Sequence, residues 1–513
     1  MCFKNKFSIV LGLPGTGKTE LVRCVIYGYN KMYEKRKHGL ICSLTAPTGA
    51  AVKNIKHRCK DLLNDNSISL LGTMHRLCYG IYHRINKQSK SDEEGKYKDL
   101  FPDIIVVDEI SMADMDIVYK LLVHVKIFSR NHNALPKLIF LGDDNQLKSV
   151  GYGNVIANLI EAKIDGENVF PITKLNKIMR NDGLIAKAIM KMNSGKKITH
   201  PRDFNSSDFT FLDLNKYKNL NLKHPTHSDR RLKELLESLD WDSNRDRLLV
   251  GENKTRHKLN EWFQENYLLK NKTEMEKVEM KIHEYTNRIK NNDYLISYYN
   301  GSRVVRTKNT TTKTGIYLAN GDSGIIHKCT KKNIEKLMCK SKALREHIDI
   351  DDFQKIEIGQ GITEYSISDV ITLKGPESEE RITINFKKSN EKYIGVVLYD
   401  EGEYEFVTQD DIYEEIDLAY AITVYKAQGD EFKNVIVWLE CVNFHSSFFF
   451  EKLKLFYTAV SRAKQRCIVM GDKHKLSNAQ ENTKVEKLSW FMNEEWIKES
   501  LVEEDESGEE SDY

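Results

Sequence analysis

Gly12-Leu13-Pro14-Gly15-Thr16-Gly17-Lys18-Thr19 is the stretch on which the reading of this chain turns. It has the spacing G-x-x-x-x-G-K-[ST]. The apolar run Phe7–Leu11 precedes it, and Leu21, Val22, Val25 and Ile26 follow at helical spacing. A strand, a glycine-rich turn and a helix are therefore predicted in that order. Gly12, Pro14, Gly15, Thr16 and Gly17 form a loop whose backbone N–H groups can close around a phosphate, and the helix start adds the positive end of its dipole. Lys18 then reaches the β- and γ-phosphates, and the Thr19 hydroxyl completes a Mg²⁺ site. The segment predicts binding of a nucleoside triphosphate.

Composition sets the frame around it. A chain of 513 residues is long enough for about three or four domains. Its 40% hydrophobic and 30% charged residues describe a soluble globular protein. No apolar run approaches the ~20 residues of a membrane helix. The phosphate loop follows the start so closely that no signal peptide is expected, which predicts an intracellular protein. The nine cysteines are dispersed without a CxxC pair and read as reduced thiols. His327, Cys329, Cys339 and His347 fit no common zinc spacing, so no zinc is expected. The net charge of +3 hides an asymmetry. Residues 493–513 hold ten acids against Lys498, a net of −9, so the rest of the chain carries +12. A basic body suits a polyanion. The acidic end reads as a disordered, solvated tail, or as a tail that binds a protein partner or competes for the nucleic-acid groove.

Further segments carry chemistry. Ile104-Ile105-Val106-Val107 is an apolar strand ending in Asp108-Glu109. A carboxylate at such a strand end can hold Mg²⁺, and its neighbour can deprotonate the water that attacks the γ-phosphate. Also in order are Thr45-Ala46-Pro47-Thr48-Gly49-Ala50-Ala51, Gly72-Thr73-Met74-His75-Arg76 and Gly142-Asp143-Asp144-Asn145-Gln146-Leu147. Ala419–Phe432, with Thr423-Val424-Tyr425-Lys426-Ala427-Gln428-Gly429-Asp430-Glu431 inside it, and Phe456–Ala463, with Arg462, close the series.

In this order and wording the chain resembles the superfamily 1 helicases of the group that includes RecD, Dda and the Pif-type enzymes. The matching segments run from Phe7 to Asp472. The third motif, continuing into Ser149-Val150-Gly151-Tyr152-Gly153-Asn154-Val155, is nearest to RecD. The resemblance implies an α/β fold of two RecA-like domains facing each other across ATP, at 1–178 and at 179–300 with 411–490. It implies that Lys18, Thr19, Asp108 and Glu109 act from the first domain, and that Gln146 senses the γ-phosphate. Gln428, Gly429 and Glu431 approach the nucleotide, and Arg180 and Arg462 serve as arginine fingers. Plain surface arginines remain the other reading of the last two. Pro47, Thr48, Gly49, Thr73, His75, Asn145, Thr423, Tyr425 and Lys426 match positions that face single-stranded DNA, through phosphate contacts that carry no sequence information. A buried core histidine is the other reading of His75.

The chain also departs from the group. Only eleven residues precede Gly12, so the glutamine segment that reads adenine upstream of the phosphate loop is expected to be absent or to come from elsewhere, which leaves ATP selectivity open. Tyr425 stands where histidine is usual, and Lys148 where proline is. Residues 77–102 suffice for a small wedge hairpin. Within the second domain, 301–410 shows alternating strands: Arg303–Arg306, Ile316–Ile325 around an Asn320-Gly321 hairpin turn, Asp369–Phe386, and Tyr393–Val407 turning at Asp400-Glu401-Gly402. A small β-barrel inserted here resembles the 5′→3′ branch. Lys328–Lys342 reads as a helix within it, and Lys270–Lys290 as a solvated helix before it. The expectation is an ATP- and Mg²⁺-dependent helicase moving 5′→3′ on single-stranded DNA and opening tailed duplexes, in replication, recombination or repair. An RNA-directed motor of the same superfamily, or a nucleotide-gated DNA-binding scaffold subunit, shares the motifs.

Overall fold

The computed structural model describes residues 5–480 apart from 34–40, 65–67, 80–101, 133–134, 150, 152, 165–166, 180–182, 200–202, 205–206, 214–224, 290–291, 359–361, 376–379, 388–391 and 440–451. Most of the expected wedge segment, Arg180 and the acidic stretch 493–513 lie outside the described residues. Among the described residues no helix is long and apolar enough to cross a membrane.

The first sheet is built from β1 (Phe7–Gly12), β2 (Cys42–Ala46), β3 (Ile68–Thr73), β4 (Ile104–Val107), β5 (Lys137–Gly142) and a last strand, Ile172–Leu175. Their spatial order is β3-β2-β4-β5-β1 and then Ile172–Leu175, and every neighbouring pair is parallel. Parallel strands are covered on both faces, which is why these runs are apolar throughout rather than alternating. Successive residues enter opposite cores. Ile9, Leu11, Ile105, Val107, Leu138 and Phe140 pack on one side, and Val10, Leu44, Val106, Ile139 and Leu141 on the other. The second side is closed by Val22, Val25, Ile26 and Tyr29 of helix α1 (Lys18–Tyr33) and by Ala51 and Ile55 of α2 (Gly49–Arg58).

A second parallel sheet repeats the plan in the order Ala421–Thr423, Asp246–Val250, Phe432–Trp438, Ala463–Gly471, Phe209–Asp213. Leu249, Val435, Val437 and Val469 face one core, Leu248, Val250, Ile436 and Ile468 the other. The α/β expectation of two parallel sheets flanked by helices therefore holds. Leu13 and Leu147 of the first domain join the second domain's core, so the two packed units share a seam.

Between the second sheet's strands lies an antiparallel sheet in the order Tyr404–Val407, Gly395–Tyr399, Ser323–Lys328, Ser302–Arg306, Ile416–Leu418. The pairing is that of an open sheet with Tyr404–Val407 and Ile416–Leu418 at its edges, and closure into the expected barrel is not among the described pairings. Its core takes in Ile296 and Tyr298 before the expected 301–410 window, and Ile416 and Leu418 after it. Two local expectations are corrected. The Asn320-Gly321 turn is real, with Gly321 at φ 99° and the Asp322 amide donating to Ala319 O at 3.0 Å. It does not make a hairpin, because Ser323–Lys328 pairs with Ser302–Arg306 while Tyr317–Leu318 pairs with Thr310–Thr311. Within Lys270–Lys290 only Glu274–Met280 is helical, capped by Thr273 and Glu276, and Lys281–Ile289 is a strand paired with Asn292–Tyr299. A register shift between Lys281 and His283 brings Ile282 and Tyr285 against one core, and that three-residue spacing imitates a helix face. The lysine-rich stretch is helical at Lys331–Met338, and a second short helix starts at Lys342.

Candidate functional site

The carboxyl ends of the first sheet's strands carry the expected site, the place where open parallel sheets bind ligands. At the end of β1 the loop turns through Gly15 and Gly17, both at positive φ (77° and 88°). A Cβ at Gly12 would meet Thr16 Oγ1 at 2.4 Å, so only glycine fits beneath the cradle. Thr16 Oγ1 donates to Leu13 O at 2.8 Å. Lys18 is buried, and its ammonium donates to Gly12 O at 2.6 Å and Leu13 O at 3.4 Å, folded over the loop it is expected to serve.

Asp108, ending β4, is buried, and its Oδ1 accepts the Glu109 amide at 2.8 Å. Burial and the adjacent Glu109 push its carboxyl up to about 6 against the pull of Lys18. Glu109 sits at φ 53°, a left-handed conformation that costs a non-glycine residue free energy and concentrates at functional sites. Glu109 Oε2 and Gln146 Oε1 are buried without a hydrogen-bond partner among the described residues, and both residues line the same cleft. Buried polar atoms are rarely left so.

Arg462 reaches this cleft from the second domain. It is buried, and its guanidinium donates to Thr458 O at 3.2 Å, Ser461 Oγ at 2.9 Å and Asp430 O at 3.3 Å. Those acceptors are neutral. The cleft holds about 380 Å³ and is lined by the loop from Pro14 to Thr19, Asp108, Glu109 and Gln146 on one wall, and by Gly429, Glu431 and Arg462 on the other. A lysine, two acids and an opposed arginine around a glycine loop fit a magnesium–triphosphate group. Lys18 would meet the β- and γ-phosphates there, and Thr19 and Asp108 would hold Mg²⁺.

Some expected residues fall elsewhere. Gly12 lies beneath the loop as an acceptor for Lys18. Gln428 is turned into the seam, where its Nε2 donates to Leu147 O at 3.0 Å. Pro47, Thr48 and Gly49 follow β2, and Thr73 and His75 end or follow the adjacent β3, so these five share one edge of the first domain. Thr48 Oγ1 caps α2 by accepting the Ala51 amide at 3.3 Å, and Thr73 Oγ1 accepts the Arg76 amide at 3.4 Å. His75 is exposed, which removes the core-histidine reading. Asn145 Nδ2 donates to Asn193 Oδ1 at 2.6 Å. Thr423 ends a strand of the second sheet, and Tyr425 and Lys426 follow it. Lys426 pairs with Asp417 at 3.3 Å, and Tyr425 packs against the second domain's core.

Several residues at the site had no assigned role in the sequence. Asp143, fully buried, accepts the Tyr457 hydroxyl at 2.8 Å across the seam, and the Leu147 amide donates to Thr458 Oγ1 at 3.0 Å. Asn54 donates its side-chain amide to Gly429 O, and Arg58 reaches both Thr19 and Glu431. Asp143, Tyr457 and Thr458 lie inside quoted motifs. Asn54 and Arg58 sit on a helix whose polar face gives no sequence signal of the cleft.

Fold and site together define a phosphate-loop α/β protein with a cleft between two parallel sheets. Parts of the chain are similar to known helicase and RecD sequences. Residues 1–152 match the AAA domain family and 418–470 match the UvrD-like helicase C-terminal domain. The chain is 30% identical over 166 residues to the RecBCD enzyme subunit RecD of Haemophilus influenzae, covering 31% of this chain and 24% of that protein. It is 28% identical over 183 residues to the RecD subunit of Buchnera aphidicola from Acyrthosiphon pisum, covering 34% and 28%. These matches therefore span about a quarter of each RecD protein's length. An uncharacterized protein of Acanthamoeba polyphaga mimivirus is 23% identical over 497 residues, 90% of this chain and 94% of its own. The crystal structure of Pif1 helicase from Candida albicans aligns over 92% of this chain and 93% of its own, with 17% identity and a TM-score of 0.44.

Proposed function

We propose that this chain is an ATP-dependent DNA helicase that translocates 5′→3′ on single-stranded DNA and unwinds tailed duplexes. The observation that carries the proposal is the two-walled cleft, with phosphate loop, Asp108, Glu109 and Gln146 on one domain and Arg462 on the other. Bound Mg²⁺ supplies charge neutralisation at the β- and γ-phosphates. Lys18 steadies the same oxygens, and Glu109 accepts the proton of the attacking water at its carboxylate. Arg462 compensates charge on the transferring group only when the walls are close, so hydrolysis is tied to domain closure. Arg180 is proposed as a second finger. The edge carrying Thr48, Gly49, Thr73 and His75, together with Thr423, Tyr425 and Lys426, is the proposed track for the strand. Sequence-independent binding that falls steeply with salt is expected. The 5′→3′ direction is proposed from the resemblance of a β-rich insertion at this place to the 5′→3′ branch of the superfamily.

The test is unwinding of two matched duplexes, one with a 5′ tail and one with a 3′ tail, under ATP and Mg²⁺, with Lys18→Ala as control. Opening of the 5′-tailed duplex alone supports the proposal. Opening of the 3′-tailed duplex overturns the polarity, and stimulation of turnover by RNA but not DNA overturns the substrate.

A further inference from the structure

Arg58 ends helix α2, and nothing in the motif pattern assigns it a task. A cation in the last turn of a helix is favoured by the dipole, and Lys56 and His57 satisfy the same preference. Arg58 does something the dipole does not require. Its Nη1 lies 3.3 Å from Thr19 Oγ1, and its Nη2 lies 3.1 Å from Glu431 Oε2 of the opposite domain. The guanidinium therefore spans the mouth of the cleft, beside the residue that follows Lys18 in the phosphate loop, and is one of the cleft's lining groups.

We propose that Arg58 is a phosphate-sensing residue, moving from Thr19 and Glu431 to the outer phosphate oxygens of a bound nucleoside triphosphate. The proposal rests on the NTPase reading of the cleft. Three features support the exchange. A guanidinium and a metal ion repel each other, so ligation of Mg²⁺ by Thr19 requires Arg58 to leave that hydroxyl. A planar fork of donors matches phosphate oxygens in two-point geometry. Glu431 is not left bare, because Lys464 Nζ stands 3.6 Å from the same carboxylate oxygen. Arg58 thus trades a contact between the domains for a contact to ligand, and nucleotide binding itself loosens the Arg58–Glu431 tie.

The experiment is a fluorescence titration of the full chain with a methylanthraniloyl-labelled, non-hydrolysable ATP analogue in Mg²⁺, and in parallel with the labelled monophosphate. Arg58→Ala is expected to weaken the triphosphate roughly tenfold, the value of one charge-assisted hydrogen-bond set, and to leave the monophosphate unchanged. Arg58→Lys, which keeps charge but loses the fork, should fall between. Wild-type or tighter triphosphate binding by Arg58→Ala, or equal losses for both ligands, would overturn the proposal. Lys18→Ala separates the two readings: if it binds triphosphate as wild type does, the NTPase reading fails and the Arg58 inference fails with it. A weakened Lys18→Ala beside an unaltered Arg58→Ala sinks the Arg58 inference alone.

Discussion

Replacing Tyr457 by Phe deletes one oxygen and one hydrogen bond, and the structure says where the effect should be felt. The Tyr457 hydroxyl donates to Asp143 Oδ2 at 2.8 Å, and that bond joins the second domain to the strand end of β5. Asp143 is 0% exposed. Its Oδ1 keeps the Asn145 amide at 3.0 Å, but Oδ2 would keep only the longer approach of Gln146 Nε2 at 3.4 Å. A hydrogen bond to a charged group contributes about 1.5–3 kcal/mol, so about 2 kcal/mol is expected to be lost from the closed seam. Burial already raises the Asp143 carboxyl, while Lys18, the Asn145 amide and Tyr457 hold it down. Deleting the Tyr457 donor raises it further. A raised carboxyl contributes stability that is present below the ordinary carboxylate range and lost as pH rises through the folded value. Parent and variant should therefore differ least in acid, where Asp143 is protonated in both, and most above the folded value. The assay is hydrogen exchange of the segment containing Leu147, whose amide donates across the same seam to Thr458 Oγ1. About 2 kcal/mol corresponds to a loss of protection of about 30-fold at alkaline pH. Unchanged protection in Tyr457→Phe, or a loss of equal size at every pH, would refute the reasoning.

Three substitutions probe the chemistry more directly. Glu109→Gln should keep triphosphate affinity while single-turnover hydrolysis falls by about 10²–10⁴, the usual worth of a general base; retained hydrolysis removes Glu109 from that role. Arg462→Ala should slow DNA-stimulated turnover by about 10³-fold or more while anisotropy reports unchanged DNA affinity; normal turnover means the buried guanidinium is only structural. Gly429 holds φ 85°, and a Cβ there would lie 3.1 Å from the Ala51 amide nitrogen. Gly429→Ala should therefore cost about 1–2 kcal/mol of backbone strain and weaken coupling between DNA binding and turnover. DNA-stimulated ATPase at wild-type level in that variant would show that the close approach to α2 is not needed.

Legibility in the sequence followed the strength of local constraint. The phosphate loop was readable because positive φ at Gly15 and Gly17 and the tight fit at Gly12 leave those positions little freedom. Asp108 was readable because Ile104–Val107 is wholly apolar, so the first acid after it had to sit at a strand end. Glu109 in a left-handed conformation was not, since nothing about glutamate announces it. Tyr457 was hidden by its own chemistry: an aromatic on an apolar helix face reads as core, and its ring is indeed buried while its hydroxyl does the bonding. Arg58 was hidden by the helix dipole, which accounts for a basic last turn without any cleft nearby. The Lys281–Ile289 strand was misread because its bulge replaces a two-residue period by a three-residue one within a highly charged stretch. The seam was beyond reach because pairing Asp143 with Tyr457 depends on how two separately folded sheets meet.

How they meet puts unusual demands on one short helix. Helix α2 has ten residues, about 15 Å of rod. Its first turn lies under the insertion, since a Cβ at Gly49 would meet the Ala319 side chain at 2.1 Å. One turn on, Lys53 pairs with Asp322 of that insertion at 2.9 Å, and Asp322 is only 3% exposed. The next residue, Asn54, bonds Gly429 of the second domain, and Arg58 ends the rod at Thr19 and Glu431. The insertion is joined covalently only to the second domain, yet its 319–322 turn rests on the first. The Lys53–Asp322 pair thus ties the insertion's turn to the first domain. Breaking it strands a buried carboxylate whose other bond, from the Ala319 amide at 2.9 Å, cannot neutralise it.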